Sequence, residues 1–193
     1  MSEEKKLPRR VKVRVFRESP EAFFRAGFER IANTRMKGIP ICNPKLRVAT
    51  VPFRKVDGQW VGAVVTPWSI LVLRACGDPR TWNRIPETKV APVTLPAGDF
   101  SFMGIADPDL GEYQSCSLLS PTWEIGDQAT GEAVARIALE TMLKPAEEGN
   151  APAPEEKAPT PPKKDEPARV SKREFFMNAV RASEGGSGKE TKK

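Results

Sequence analysis

The sequence has no histidine, only three cysteines and a single tyrosine among its 193 residues. Without histidine, the commonest general base is missing, and so are the Ser–His and Cys–His nucleophile pairs. Cys42, Cys76 and Cys116 are odd in number, far apart and never in a CxxC pair. That argues against a disulfide framework and for a reducing compartment, read here as the cytoplasm. Zinc and most transition-metal sites draw on Cys and His, so no cofactor and no dedicated metal site is expected. Nothing approaches the roughly 20 consecutive apolar residues that span a bilayer. The charged start MSEEKKLPRR is followed by no apolar h-region, so neither a membrane span nor a secretory signal is expected.

What charge there is lies unevenly. The net +6 divides into +4 over residues 1–14 and +1 over each of residues 15–144 and 145–193. A nucleic-acid binder would carry its basic face on the folded domain, whereas here the central region is near neutral. The basic arm leaves open, as an alternative, a small nucleic-acid-binding or general protein-interaction module, whose binding would fall steeply with salt.

The order of apolar runs gives an α+β domain. In SPEAFFRAGFERIANTRM (residues 19–36), Ser19 is placed to cap a helix and Pro20 suits its first position. Phe24, Phe28 and Ile31 share one face, and Gly38 and Pro40 end the element. The β-branched run LRVATVPFRKV, the dipeptide Asp57-Gly58 and QWVGAVVTPW read as strand, tight turn and returning strand. SILVLRAC, KVAPVTLP, DFSFMGIAD and YQSCSLLSP follow as short strands, separated by Pro, Gly and Asp, of an antiparallel sheet. Residues 127–143 form a second helix, capped by Asp127, with Val134, Ile137, Ala138 and Met142 on its inner face. Residues 145–168 contain seven prolines and too little apolar surface to offset ordering entropy. The expected organisation is a basic flexible arm over 1–17, an α+β domain over 18–144, a Pro-rich disordered linker over 145–169 and a C-terminal tail over 170–193. That tail carries SKREFFM, beginning at Ser171, which resembles the twin-arginine export motif Ser-Arg-Arg-x-Phe-Leu-Lys but has no apolar run after it. Lys172 and Arg173 stand for its cationic pair and Phe175 for its aromatic position, with Phe176 beside it.

Two segments are the densest candidates for function. Trp60 and Trp68 flank Thr66-Pro67. Pro67 cannot donate to a ladder and so belongs at a strand end, edge or bulge. The tryptophans either fill the core or, for Trp68, line a groove for a partner's apolar segment. In LGEYQSCSLLSP, Tyr113, Ser115, Ser117 and Leu119 alternate with Gln114, Cys116 and Leu118 across the two faces of a strand. Cys116 is then either a buried apolar cysteine or a reactive thiol, the latter in a small enzyme using Glu112 or Asp109.

The blocks GIPICNPKLRV, GQWVGAVVTPW, LPAGDFSF and YQSCSLLSP, in that order across residues 20–143, resemble the HybE/HupJ/HoxT family of [NiFe]-hydrogenase assembly chaperones. The resemblance implies an antiparallel sheet with helices packed on it, similar to secretion-chaperone-like two-layer sandwiches. It also implies an accessory protein without catalytic residues. Its partners would be immature small or large hydrogenase subunits before twin-arginine export, and other hydrogenase accessory proteins, rather than nucleic acid. Some members carry a fused rubredoxin-like module, whose two CxxC pairs are absent from this sequence. Partner contact is expected at Trp60, Pro67, Trp68, Tyr113, Cys116, Lys172, Arg173, Phe175 and Phe176. From its ligand-poor composition the purified protein should hold no stoichiometric nickel, zinc or iron. Elemental analysis checks this, and about one tightly bound metal per chain would contradict it.

Overall fold

A computed structural model describes residues 13–145. Helix α1 (Glu21–Asn33) precedes six strands, β1 (Ala49–Val56), β2 (Gln59–Val65), β3 (Ile70–Ala75), β4 (Val90–Leu95), β5 (Gly98–Asp107) and β6 (Gly111–Leu119), and helix α2 (Gln128–Leu143) closes the domain. The strands form one antiparallel sheet in the order β1-β2-β3-β6-β5-β4. Two three-strand meanders thus meet at the β3–β6 seam, and the 76–89 connection carries the chain from the seam to the far edge.

The α+β class and the antiparallel sheet agree with the sequence expectation, but the layering does not. The helices take opposite faces, giving three layers rather than two. On one face Phe24, Phe28 and Ile31 of α1 pack with Phe53, Val64, Leu73, Ala75 and Tyr113. On the other, Val134, Ala135, Leu139 and Met142 of α2 pack with Val61, Ala63, Val65, Ile70 and Val72. Adjacent residues of β2 therefore belong to different cores, and six of its seven residues are buried. The unbroken run WVGAVV carries that message, because a strand covered on both faces loses its apolar–polar alternation.

Local chemistry sets the joints. Asp57 and Gly58 both take positive φ, 48° and 80°, the two-residue hairpin turn that matches strand twist. A bulge sits in β1, where Val51 pairs with Ala63 but Arg54 with Val61. Pro52 and Phe53 stand opposite Gly62, and the missing Pro N–H falls where the ladder is already interrupted. The bulge turns Phe53 inward onto α1, stacked on Phe24 at 5.5 Å between centroids. Its ring fills the space a Cβ on Gly62 would occupy. At the opposite edge Pro92 lies in β4, so both edge strands carry a proline, which blunts edge-to-edge pairing.

The helix ends differ slightly from expectation. Asp127 caps α2, accepting from the Thr130 N–H at 2.8 Å. Pro20 occupies the cap position of α1 and the helix stops at Asn33. Ser19 lies one place earlier, its Oγ accepting from the Glu21 N–H at 3.4 Å.

Of the stretch read as a flexible arm, residues 13–17 are described, and they lie against the domain. Val13 bridges to Glu112, and the Phe16 N–H donates to the Cys76 carbonyl at 2.8 Å. The Arg14 guanidinium covers Phe23. Apolar Val13 and Phe16 interrupt the basic run and gain burial on the sheet, which a charge count does not register.

Gly62→Ala should force the Phe53 ring out of its seat and destabilise the domain by about 1–3 kcal/mol, the usual range for overpacking. Urea unfolding measures it. A neutral result would show that the Phe53–Phe24 stack is not tight.

Candidate functional site

At the sheet end where β2 finishes and β3 begins, three loops are joined by hydrogen bonds. The first, residues 38–46, follows α1. The second is the β2–β3 turn, residues 66–69. The third, residues 120–126, leads from β6 into α2.

Asn43 is the joint. It is buried, and its side-chain amide donates to the carbonyls of Thr122 and Ile125, both at 2.9 Å. Its Oδ1 accepts from the Lys45 N–H, and its own N–H donates to the Pro67 carbonyl at 2.7 Å. Thr122, fully buried, donates its hydroxyl to the same Pro67 carbonyl at 2.6 Å. Inside the β2–β3 turn the Thr66 hydroxyl donates to the Ser69 carbonyl and accepts from the Ser69 N–H. Proline and polar short-chain residues suit such turns. Here they also serve the neighbouring loops, so the backbone groups of this buried crossing are paired.

The assembly displays apolar surface. Trp123 is 64% exposed, yet its indole N–H donates to the Ile41 carbonyl at 3.0 Å. Ile39, two residues before that carbonyl, is 43% exposed. A large aromatic held by a hydrogen bond in solvent has little rotamer freedom left to lose on binding, which favours its use as an anchor. A second exposed pair, Val90 and Met103, faces across the β4–β5 ladder. It lies on the Pro92 edge and lacks any comparable hydrogen-bonded support.

The residues singled out from sequence separate in space. Pro67 and Trp68 belong to the loop assembly. The Pro67 carbonyl is its acceptor hub, and Trp68 is half-buried against the α1-side core. Trp60 lies at the opposite end of the sheet, where its indole N–H donates to the Phe16 carbonyl at 2.9 Å and holds the N-terminal stretch in place. Tyr113 is core, edge-on to Phe24 and Phe28, and burial pushes its phenol well above the ordinary range. Cys116 is half-buried on the α2 side of β6. Glu112 shares that face but sits four residues, about 13 Å, along the strand. It ion-pairs with Arg84 at 2.7 Å, and Asp109 faces Arg35 at 3.6 Å, so neither is placed as a base for the thiol. Burial also pushes the Cys76 thiol up, away from the reactive thiolate form. Lys172, Arg173, Phe175 and Phe176 lie outside the described residues. Among those residues there is no cluster of three potential metal-ligating side chains and no helix long and apolar enough to cross a membrane.

Sequence reasoning missed Ile39, Asn43 and Trp123. The first two lie in GIPICNPKLRV, and Trp123 stands two residues past the end of YQSCSLLSP. Their spacing has no helical or strand period, so periodicity could not find them. The available signal was a tryptophan and an isoleucine set among loop-forming prolines.

The hydrogen-bonded loop assembly thus leaves Trp123 and Ile39 turned to solvent. The family model described as "[NiFe]-hydrogenase assembly, chaperone, HybE" matches residues 19–178, and the chain belongs to that family. It is 31% identical over 166 residues to the hydrogenase expression/formation protein HupT of Azotobacter chroococcum mcd 1, covering 85% of this chain and 95% of that one. It is 32% identical over 142 residues to the hydrogenase expression/formation protein HupJ of Bradyrhizobium diazoefficiens, covering 69% and 78%. The solution structure of HybE from Escherichia coli shares the fold, with a TM-score of 0.56 at 24% identity over 82% of this chain and 98% of that one.

Asn43→Ala should destabilise the domain by about 2–4 kcal/mol, because it strips two loop carbonyls of a donor and leaves a buried void. Thermal unfolding measures the loss. A Tm within a degree of the parent would mean the loops hold together without it.

Proposed function

We propose that this hydrogenase assembly chaperone binds immature [NiFe]-hydrogenase small or large subunits through the loop assembly around Asn43, with Trp123 and Ile39 as anchors, in the cytoplasm and before twin-arginine export. The observation that carries the reading is Trp123, exposed but pinned to Ile41. An assembly chaperone must hold a subunit that is not yet buried against its partner, and such a subunit offers apolar surface. A preformed aromatic anchor binds that surface with little ordering cost. The family's chaperone description and the names of its relatives support the choice of subunit class, and the exposed, hydrogen-bonded Trp123 supports the choice of surface.

Trp123→Ala breaks no core packing and should leave urea stability within about 1 kcal/mol. It should weaken binding of purified hydrogenase small- or large-subunit precursor by at least tenfold, on the scale of a hot-spot aromatic. Calorimetric titration with each precursor tests this. In cells, the same variant should let unprocessed precursor accumulate. Unchanged affinity for both precursors, beside normal processing, would place the docking surface elsewhere.

A further inference from the structure

We propose that the protein holds an internal water site under the 76–89 connection, where resident water accepts from the Trp82 indole N–H and donates to Glu112 Oε1.

The site begins with two polar atoms that the fold buries without a protein partner. Glu112 is 4% exposed. One of its carboxylate oxygens, Oε2, accepts from Arg84 Nε at 2.7 Å. The other, Oε1, is buried with no hydrogen-bond partner among the described residues. The Trp82 indole nitrogen is buried and unpartnered in the same sense, whereas the indoles of Trp60 and Trp123 donate to main-chain carbonyls. A buried donor or acceptor with no partner at all is costly. Native folds pair nearly all such groups, with protein or with ordered water.

Both atoms belong to one network between residues 82–84 and the α2-side face of the sheet. The Asn83 carbonyl accepts from Gln114 Nε2 at 2.6 Å, and Arg84 bonds Glu112. The Arg74 guanidinium lies over the Trp82 ring, 4.8 Å from its centroid, and donates to Gln114 Oε1 at 2.7 Å. Trp82 and Arg84 are two residues apart on the connection. Gln114 and Glu112 are two residues, about 7 Å, apart on β6.

The connection is anchored on both sides of this stretch. Before it, the buried Gln59 side chain donates to the Asp78 carbonyl and the Thr81 hydroxyl and accepts from the Gly77 N–H. After it, Ile85 is buried in the α2-side core. The carbonyls of Ile85 and Pro86 rest on Gly104, where a Cβ would collide with them. With both ends held, residues 82–84 settle no further onto the sheet, and the indole N–H and the carboxylate stay unpaired with each other.

The chemistry selects the occupant. A cation would meet Glu112 Oε1 but also the Trp82 N–H and the guanidinium groups of Arg74 and Arg84. An anion would meet those donors but also the Glu112 carboxylate. Water donates and accepts at once, which suits a site offering one buried group of each kind. It completes the polar clamp that holds the connection on the sheet.

The test is solution NMR of the isotope-labelled full-length chain, with the Trp82 indole resonance assigned by its loss in Trp82→Phe. Water-selective NOE and ROE spectra should show a cross-peak of opposite sign in the two at the Trp82 indole proton. That pattern marks dipolar contact with water that stays bound longer than the protein takes to tumble. In Glu112→Leu the cross-peak should be lost. A Trp82 indole proton without a water cross-peak would overturn the site. A peak of one sign in both spectra would overturn it too, because that marks hydrogen exchange with bulk water. A dipolar peak at full strength in Glu112→Leu would remove Glu112 from the site and overturn the shared water. The spectra of the parent chain decide the first two outcomes whether or not the leucine variant folds.

Discussion

The architecture depends on β2 being buried on both faces. A strand so covered needs a separate apolar layer on each side, and α1 and α2 supply them. The α1 side also needs room for Phe53, which the bulge at Pro52 and the bare Gly62 provide. Around Phe24, the rings of Phe16, Phe23, Phe53 and Tyr113 lie within 5.8 Å between centroids, so one aromatic nucleus anchors the helix, the bulged strand and the N-terminal stretch together. With both faces covered at the centre, neither helix layer leaves the middle of the sheet open for a partner. The display surface falls to the loops at the end of β2, where backbone groups are paired by Asn43, Thr66 and Thr122 rather than by a ladder.

The same economy explains why the loop assembly is apolar outside and polar inside. Its interior consists of backbone carbonyls and N–H groups that would be costly to bury unpaired. Short polar side chains satisfy them, leaving Ile39 and Trp123 with no inward role. In a folded domain most large apolar side chains find a core. Trp123 stays in solvent, with its ring nitrogen bonded to the Ile41 carbonyl, which is why it carries the proposed docking surface.

Much of the fold was legible in the sequence, for identifiable reasons. Asp57-Gly58 announced its turn because few other pairs accept positive φ twice. Asp127 announced α2 because a carboxylate at that position satisfies helix N–H groups. Phe24, Phe28 and Ile31 fell at helical spacing and are indeed core. The two-sided sheet is readable in WVGAVV, an unbroken apolar run that a two-layer sandwich would not require. The site was less legible. Pro67 and Trp68 lie in it, but Trp60, Tyr113 and Cys116 do not come together with them. Trp60 and Trp68 are eight residues apart in a strand and turn, at opposite ends of the sheet. Asn43 could not be seen as a joint, since its partners lie 79 and 82 residues away, and such a bond leaves no local pattern.

The proposed docking puts a subunit precursor on the loop assembly and not on the β4–β5 edge, where Val90 and Met103 are also exposed. Photo-crosslinking decides between them most directly. A benzophenone amino acid is placed at position 39 in one full-length protein and at position 103 in another, and each is irradiated with purified hydrogenase precursor. The expected result is a covalent adduct from position 39 and none above background from position 103. An adduct from position 103, with position 39 silent, would contradict it.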